Sequence, residues 1–112
     1  MAVLERAFLG DFDEILAEIE KKVVDGNITG SLEGGSDFYG TDSRCSIRVF
    51  ERWSAMGGNR DSLTITMYQD DDIIHLSAIT AGGSKGMVLK INRIGEDAFL
   101  RMLNDVLDGM GL

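Results

Sequence analysis

The chain has 112 residues, 44% of them apolar and 27% charged, and a formal net charge of −8. That length suits one domain, 1–112, with a single core, and the ordinary composition excludes gross disorder. The acid excess argues against nucleic acid or an anionic membrane as the main partner, because phosphate recognition runs on Lys and Arg.

The charge is uneven. Residues 1–27 hold seven acids and three bases, whereas residues 43–60 hold four arginines and the single acid Glu51. Cys45 is the one cysteine, so no internal disulfide can form. No apolar run follows a basic stretch near the start, and no window approaches the ~18–20 apolar residues of a membrane span. The expected setting is therefore the cytoplasm, and the Asn27-Ile28-Thr29 sequon is read as chance.

In chain order, residues 2–9 read as a first strand. Gly10 breaks it, Asp11 can cap a helix, and Glu14 completes a capping-box variant. Phe12, Ile15, Leu16, Ile19 and Val23 then form one apolar stripe at helical spacing. Asp25-Gly26 closes the helix, with Gly26 suited to the left-handed position.

Four period-two runs follow, around residues 28–33, 44–53, 62–68 and 74–78. Their apolar members include Cys45, Ile47, Val49, Leu63, Ile65, Met67, Ile74, Leu76 and Ala78. The glycines at 34–35, 57–58 and 82–86 read as turns, as does Asp70-Asp71-Asp72. Residues 87–91 fit either a last strand or an irregular segment. A second helix starts near Gly95, with Phe99, Met102, Leu103, Val106 and Met110 as its stripe and a frayed end at Gly109 and Gly111.

The order β-α-β-β-β-β-(β)-α predicts an α+β two-layer sandwich, a mainly antiparallel sheet of four to six strands with both helices on one face. The other face is then polar. It would carry Thr29, Ser31, Glu33, Arg44, Ser46, Arg48, Phe50, Arg52, Ser62, Thr64, Thr66, Tyr68, His75 and Ser77, with Trp53 on either side. Three readings of that face compete: a solvated surface, a homodimer interface, and a site for an anionic small molecule.

Local motifs point to no catalytic residue. Gly82-Gly83-Ser84-Lys85-Gly86 matches the nucleophile-elbow pattern, but His75 precedes the serine and 112 residues cannot supply the large parallel sheet. It is not a Walker A loop either, although a glycine-rich turn beside Lys85 can form an anion-binding nest. Asp70-Asp71-Asp72 fails the EF-hand pattern at Ile74, His75 and Ala81. One histidine and one cysteine cannot make a Cys/His zinc site. No metal or cofactor is expected. His75 reads as a solvated strand residue and Cys45 as a buried small hydrophobe.

Gly10-Asp11-Phe12-Asp13, Arg48-Val49-Phe50-Glu51-Arg52, Gly57-Gly58-Asn59-Arg60, the run His75–Ser84 and Gly95-Glu96-Asp97-Ala98-Phe99-Leu100 together give a pattern over nearly the whole chain. In it the chain resembles a family of short uncharacterised bacterial proteins catalogued as a domain of unknown function. The resemblance implies a bacterial cytosolic domain and brings no activity, cofactor or site residue.

The leading expectation is a non-enzymatic binding module using the polar sheet face, with Phe50, Trp53, Tyr68 and the row Arg44, Arg48 and Arg52 as anchors, for a partner protein or a second copy. The alternative is an anion-binding protein or enzyme whose pocket unites Arg48, Arg52, His75, Ser84 and Lys85.

Overall fold

A computed structural model describes residues 2–26, 30–53, 60–82 and 89–112, the stretch 89–97 as backbone only. Strands β1 (Ala2–Phe8), β2 (Ser31–Tyr39), β3 (Ser43–Trp53), β4 (Arg60–Asp70) and β5 (Ile73–Gly82) form one antiparallel sheet in the order β1-β5-β4-β3-β2. Helices α1 (Phe12–Asp25) and α2 (Leu89–Gly109) lie together on one side of it. The fold is the predicted α+β sandwich with five strands. Among the described residues no helix is long and apolar enough to cross a membrane.

The core explains the layering. Phe12, Ile15, Leu16, Ile19 and Val23, the whole stripe of α1, are buried with Phe99, Leu103 and Leu107 of α2. Against them the sheet sets Phe50, Leu63, Ile65, Met67, Ile74, Leu76 and Ala78. The line of deepest burial on α2 runs at spacing four through Leu107, and Met102 and Met110 pack at its margin.

The ends of the helices follow elementary rules, with three departures from expectation. Asp11 caps α1 as predicted, its carboxylate accepting from the Glu14 N–H at 3.0 Å. Gly26, expected in the left-handed region, instead lies at φ −75 and continues the last turn, its N–H donating to the Lys22 carbonyl at 2.9 Å. Helix α2 begins at Leu89, well before Gly95, so 89–91 are helical and 87–88 lie outside the described residues. Its far end is not frayed. Gly111 takes φ +79, which lets the Leu112 N–H reach the Leu107 carbonyl and the Gly111 N–H that of Asp108, both at 3.0 Å. This is a Schellman closure. Arg6 of β1 then donates to the Leu112 carbonyl at 2.7 Å and pairs with Asp108 at 2.9 Å, a cation set at the negative end of the helix.

Gly34 and Gly35 are not a turn. They lie inside β2, at and beside a bulge that shifts the register between Leu32 and Gly34. A Cβ on Gly35 would sit 2.8 Å from Cδ of Arg48, so the glycine clears a path for that arginine across the strand. Gly82, expected in the turn 82–86, is the last residue of β5, while 57–58 and 83–86 lie outside the described residues. The Asp70–Asp72 hairpin forms as expected, with Asp71 at φ 54.

The largest correction concerns β3. Opposed residues of an antiparallel pair share a face. Phe50 opposes Leu63, Arg48 opposes Ile65 and Ser46 opposes Met67, all on the helix side. The alternation predicted Cys45, Ile47 and Val49 for the core and the arginines for the outer face. The strand is turned the other way: Arg44, Ser46, Arg48, Phe50 and Arg52 face the helices, and Cys45, Ile47, Val49, Glu51 and Trp53 face out. Ser46 and Phe50 are each only 1% exposed.

This orientation predicts unequal costs of truncation. Ile65→Ala should lose about 2–5 kcal/mol in urea unfolding, as a core methylene deletion does. Ile47→Ala, read at low protein concentration, should lose well under half of that, because its side chain stands on the outer face.

Candidate functional site

The residues singled out from the sequence fall into three places. Arg44, Arg48, Phe50 and Arg52 lie on the helix side of the sheet. Tyr68 and His75 oppose one another on the outer side. Ser84 and Lys85 lie outside the described residues. A single pocket of Arg48, Arg52 and His75 is therefore not formed, since the sheet separates the arginines from the imidazole.

Each arginine has an internal partner. The Arg44 guanidinium stacks over the Phe12 ring at 4.0 Å and lies 5.0 Å from that of Tyr39, and it pairs with Asp13 of α1 at 3.0 Å. Arg52 stacks over Phe99 at 4.4 Å. Burial draws its pKa below the ordinary arginine value, and the charge of Asp61, its fully buried cross-strand neighbour, opposes that pull. Arg48 sits between β2 and α1. It reaches Asp37 at 3.0 Å and Glu20 at 3.4 Å and donates to the carbonyls of Ser36 and Ile47. Ser46 adds a hydroxyl hydrogen bond to Asp37 at 2.6 Å. With so many of its donors engaged, Arg48 is a fastener between layers rather than an anion receptor.

Asp37 is the titrating member of this cluster. The Ser46 hydroxyl holds its carboxyl below the usual carboxylate range; burial, the next effect, pulls the other way, and the Arg48 guanidinium adds further lowering. A lowered folded value means that the stabilisation is present above the unfolded carboxylate value of about 3.9 and is lost as pH falls through the folded one.

The outer face is a different surface. Its central strand, β4, presents Ser62, Thr64, Thr66 and Tyr68, a ladder of hydroxyls. Ser77 and His75 continue it on β5, where the His75 ring stacks on Tyr68 with centroids 6.4 Å apart. Apolar groups flank the ladder: Cys45, Ile47, Val49 and the terminal Trp53 on β3, Ile79 on β5, and Val3 and Phe38 further out on the edge strands. Val3, Phe38, Trp53, Tyr68 and Ile79 are between 39% and 61% exposed. A shallow depression of about 420 Å³ opens beside Tyr68 and His75, bounded by Glu5, Thr66 and Ser77. Among the described residues no group of three or more His, Cys, Asp or Glu is placed to hold a metal ion.

Sequence reasoning missed the outward position of Ile47 and Val49. The available signal was Phe50, a large apolar residue in phase with the arginines. It also missed Arg6, whose role depends on where α2 ends.

The geometry defines a two-layer α+β domain with one sheet face covered by helices and the other carrying hydroxyl and apolar side chains. Residues 1–111 match the model of DUF6054, a family of unknown function, and the chain belongs to that family. A comparison with curated proteins finds no match.

Two measurements check the Asp37 cluster. Asp37→Asn should destabilise the fold at pH 7, and its deficit against the unaltered chain in urea melts should shrink below pH ~4. Gly35→Ala should reproduce part of that deficit at pH 7, because its methyl displaces Arg48 from Asp37.

Proposed function

We propose that the chain is a non-enzymatic interaction module whose contact surface is the outer face of the sheet. The setting proposed is a bacterial cytoplasm, as the family resemblance and the single cysteine suggest. The observation that carries the proposal is the exposure of Val3, Phe38, Trp53, Tyr68 and Ile79 on one face, around Ile47 and Val49. Exposed large apolar side chains gathered on one face, here on both flanks of the hydroxyl ladder, mark a contact site more often than a surface meant only for water. Aromatic anchors beside hydroxyl groups are also the residue types that interfaces favour.

The expected surface shifts from the arginine row to the residues between those arginines. Trp53 and Tyr68 remain as anchors, and Phe38, Ile47 and Val49 take the places of Arg44, Arg48 and Phe50. An enzyme using the arginines and His75 together has no support from the geometry, because the sheet lies between them.

Site-directed photocrosslinking in the native cell tests the proposal. A photoreactive side chain at Tyr68 should give a discrete higher-mass product, whatever the partner. The same group at Glu18, on the exposed side of α1, should give none. Equal products from both positions, or none from Tyr68, would remove the outer face as the contact surface.

A further inference from the structure

The identity of the partner can be argued further, on the basis of the contact surface just described. We infer that the outer face receives a second copy of this chain, the two sheets stacking face to face about a two-fold axis that passes near Thr66.

Charge is the first reason. The molecule carries −8, and on the opposite layer α1 sets Asp13, Glu14, Glu18, Glu20 and Asp25 against Lys21 and Lys22, with Asp13 and Glu20 paired to Arg44 and Arg48 and the others at its exposed side or end. Away from the acidic tip at Asp70–Asp72, the Asp, Glu, Lys and Arg side chains on the outer face among the described residues are Glu5, Glu33, whose carboxylate accepts from the Ser31 hydroxyl, and the pair Glu51–Arg60, which meet at 3.4 Å. A basic partner would be drawn to the helical layer. Two acidic copies, by contrast, approach at least cost through the face where acids are scarce, with both helical layers turned away.

Chemical self-complementarity is the second. In a two-fold interface each group near the axis meets its own copy. Carboxylates or guanidiniums there would repel. A hydroxyl both donates and accepts, so it can pair with another hydroxyl, and an alkyl group packs on its like. The central strand offers Ser62, Thr64, Thr66 and Tyr68, and the adjoining strand offers Ile47 and Val49.

Area is the third. Five strands ~4.8 Å apart and ~25–35 Å long outline a face of roughly 600 Å², and more once its side chains are counted. A stable interface of standard size needs about 800 Å² per partner. Short Thr, Ser, Val and Ile side chains suit the ~10 Å spacing of stacked sheets.

Sedimentation velocity on the purified full chain tests the inference. The unaltered protein should sediment at twice its 12.2 kDa mass at ~10 µM, in the affinity range of such interfaces. Added salt should tighten the dimer by screening the repulsion between its halves. Thr66→Arg and, independently, Thr64→Lys should each give a folded monomer, judged by an unchanged cooperative melt, while Glu18→Arg should leave the dimer intact. On the unaltered chain, alkylation of Cys45 should slow at least tenfold as concentration rises through the dimer range. A monomer at ~100 µM, a dimer that survives both substitutions, or a Cys45 rate indifferent to dimer formation would overturn the inference. A monomer that still crosslinks through Tyr68 to another protein in cells would overturn the second copy alone and leave the contact surface standing.

Discussion

Guanidinium groups enter a protein layer only when something replaces the water they leave. On β3 three of them do so in a row. Arg44 rests on the Phe12 ring and against Asp13, Arg48 is gripped by Asp37 and Glu20, and Arg52 covers Phe99 beside the charge of Asp61. Their long aliphatic stems do the packing, and the planar heads of Arg44 and Arg52 stack on rings, each stack being worth about 0.5–2 kcal/mol. The side chains of Arg44 and Arg48 are only 19% and 14% exposed. The remainder of the architecture depends on this orientation. With the arginines turned towards the helices, the residues between them must turn outward.

That constraint creates the outer face. In a strand every second residue points the other way, so Cys45, Ile47 and Val49 are expelled from the core by the arginines' need for aromatic and acidic partners. The helical layer receives the charges that hold the two layers together, and the sheet is left with short hydroxyl and branched apolar groups. Gly35 fits the same scheme, since Arg48 can lie across β2 only where no side chain stands. The bulge beside it adjusts the edge strand to the fastened position of β3. Interior ion pairs and outward contact surface are thus two consequences of one strand orientation.

Much of the fold was legible in the sequence, for definite reasons. The stripe of α1, its Asp11 cap, the alternation of β4 and β5 and the two-layer arrangement each follow from one period in one segment. The side on which β3 turns does not. Hydropathy scores arginine by its charge and takes no account of its reach, and α1 offers Phe12, Asp13 and Glu20 as partners only once the layers are assembled. The Gly34-Gly35 pair looked like a turn because its reason, the path of Arg48, comes from another strand. Gly111 looked like an unwinding end because a Schellman closure depends on carbonyls three and four residues back. As for the site, Tyr68, Thr66 and Ser77 were readable as outer-face residues, while Trp53, at the end of its strand, fitted either face. Phe38, Ile47, Val49 and Ile79 were not, since apolar residues in alternation are read as core by default.

The orientation of β3 is best tested by nuclear Overhauser contacts in the isotopically labelled protein. The side-chain methylenes of Arg44 should show cross-peaks to the Phe12 ring and those of Arg52 to the Phe99 ring, while Ile47 and Val49 show none to either helix. Cross-peaks from Ile47 or Val49 to the α1 stripe, with Arg44 and Arg48 in contact only with Thr64, Thr66 or Tyr68, would contradict the account.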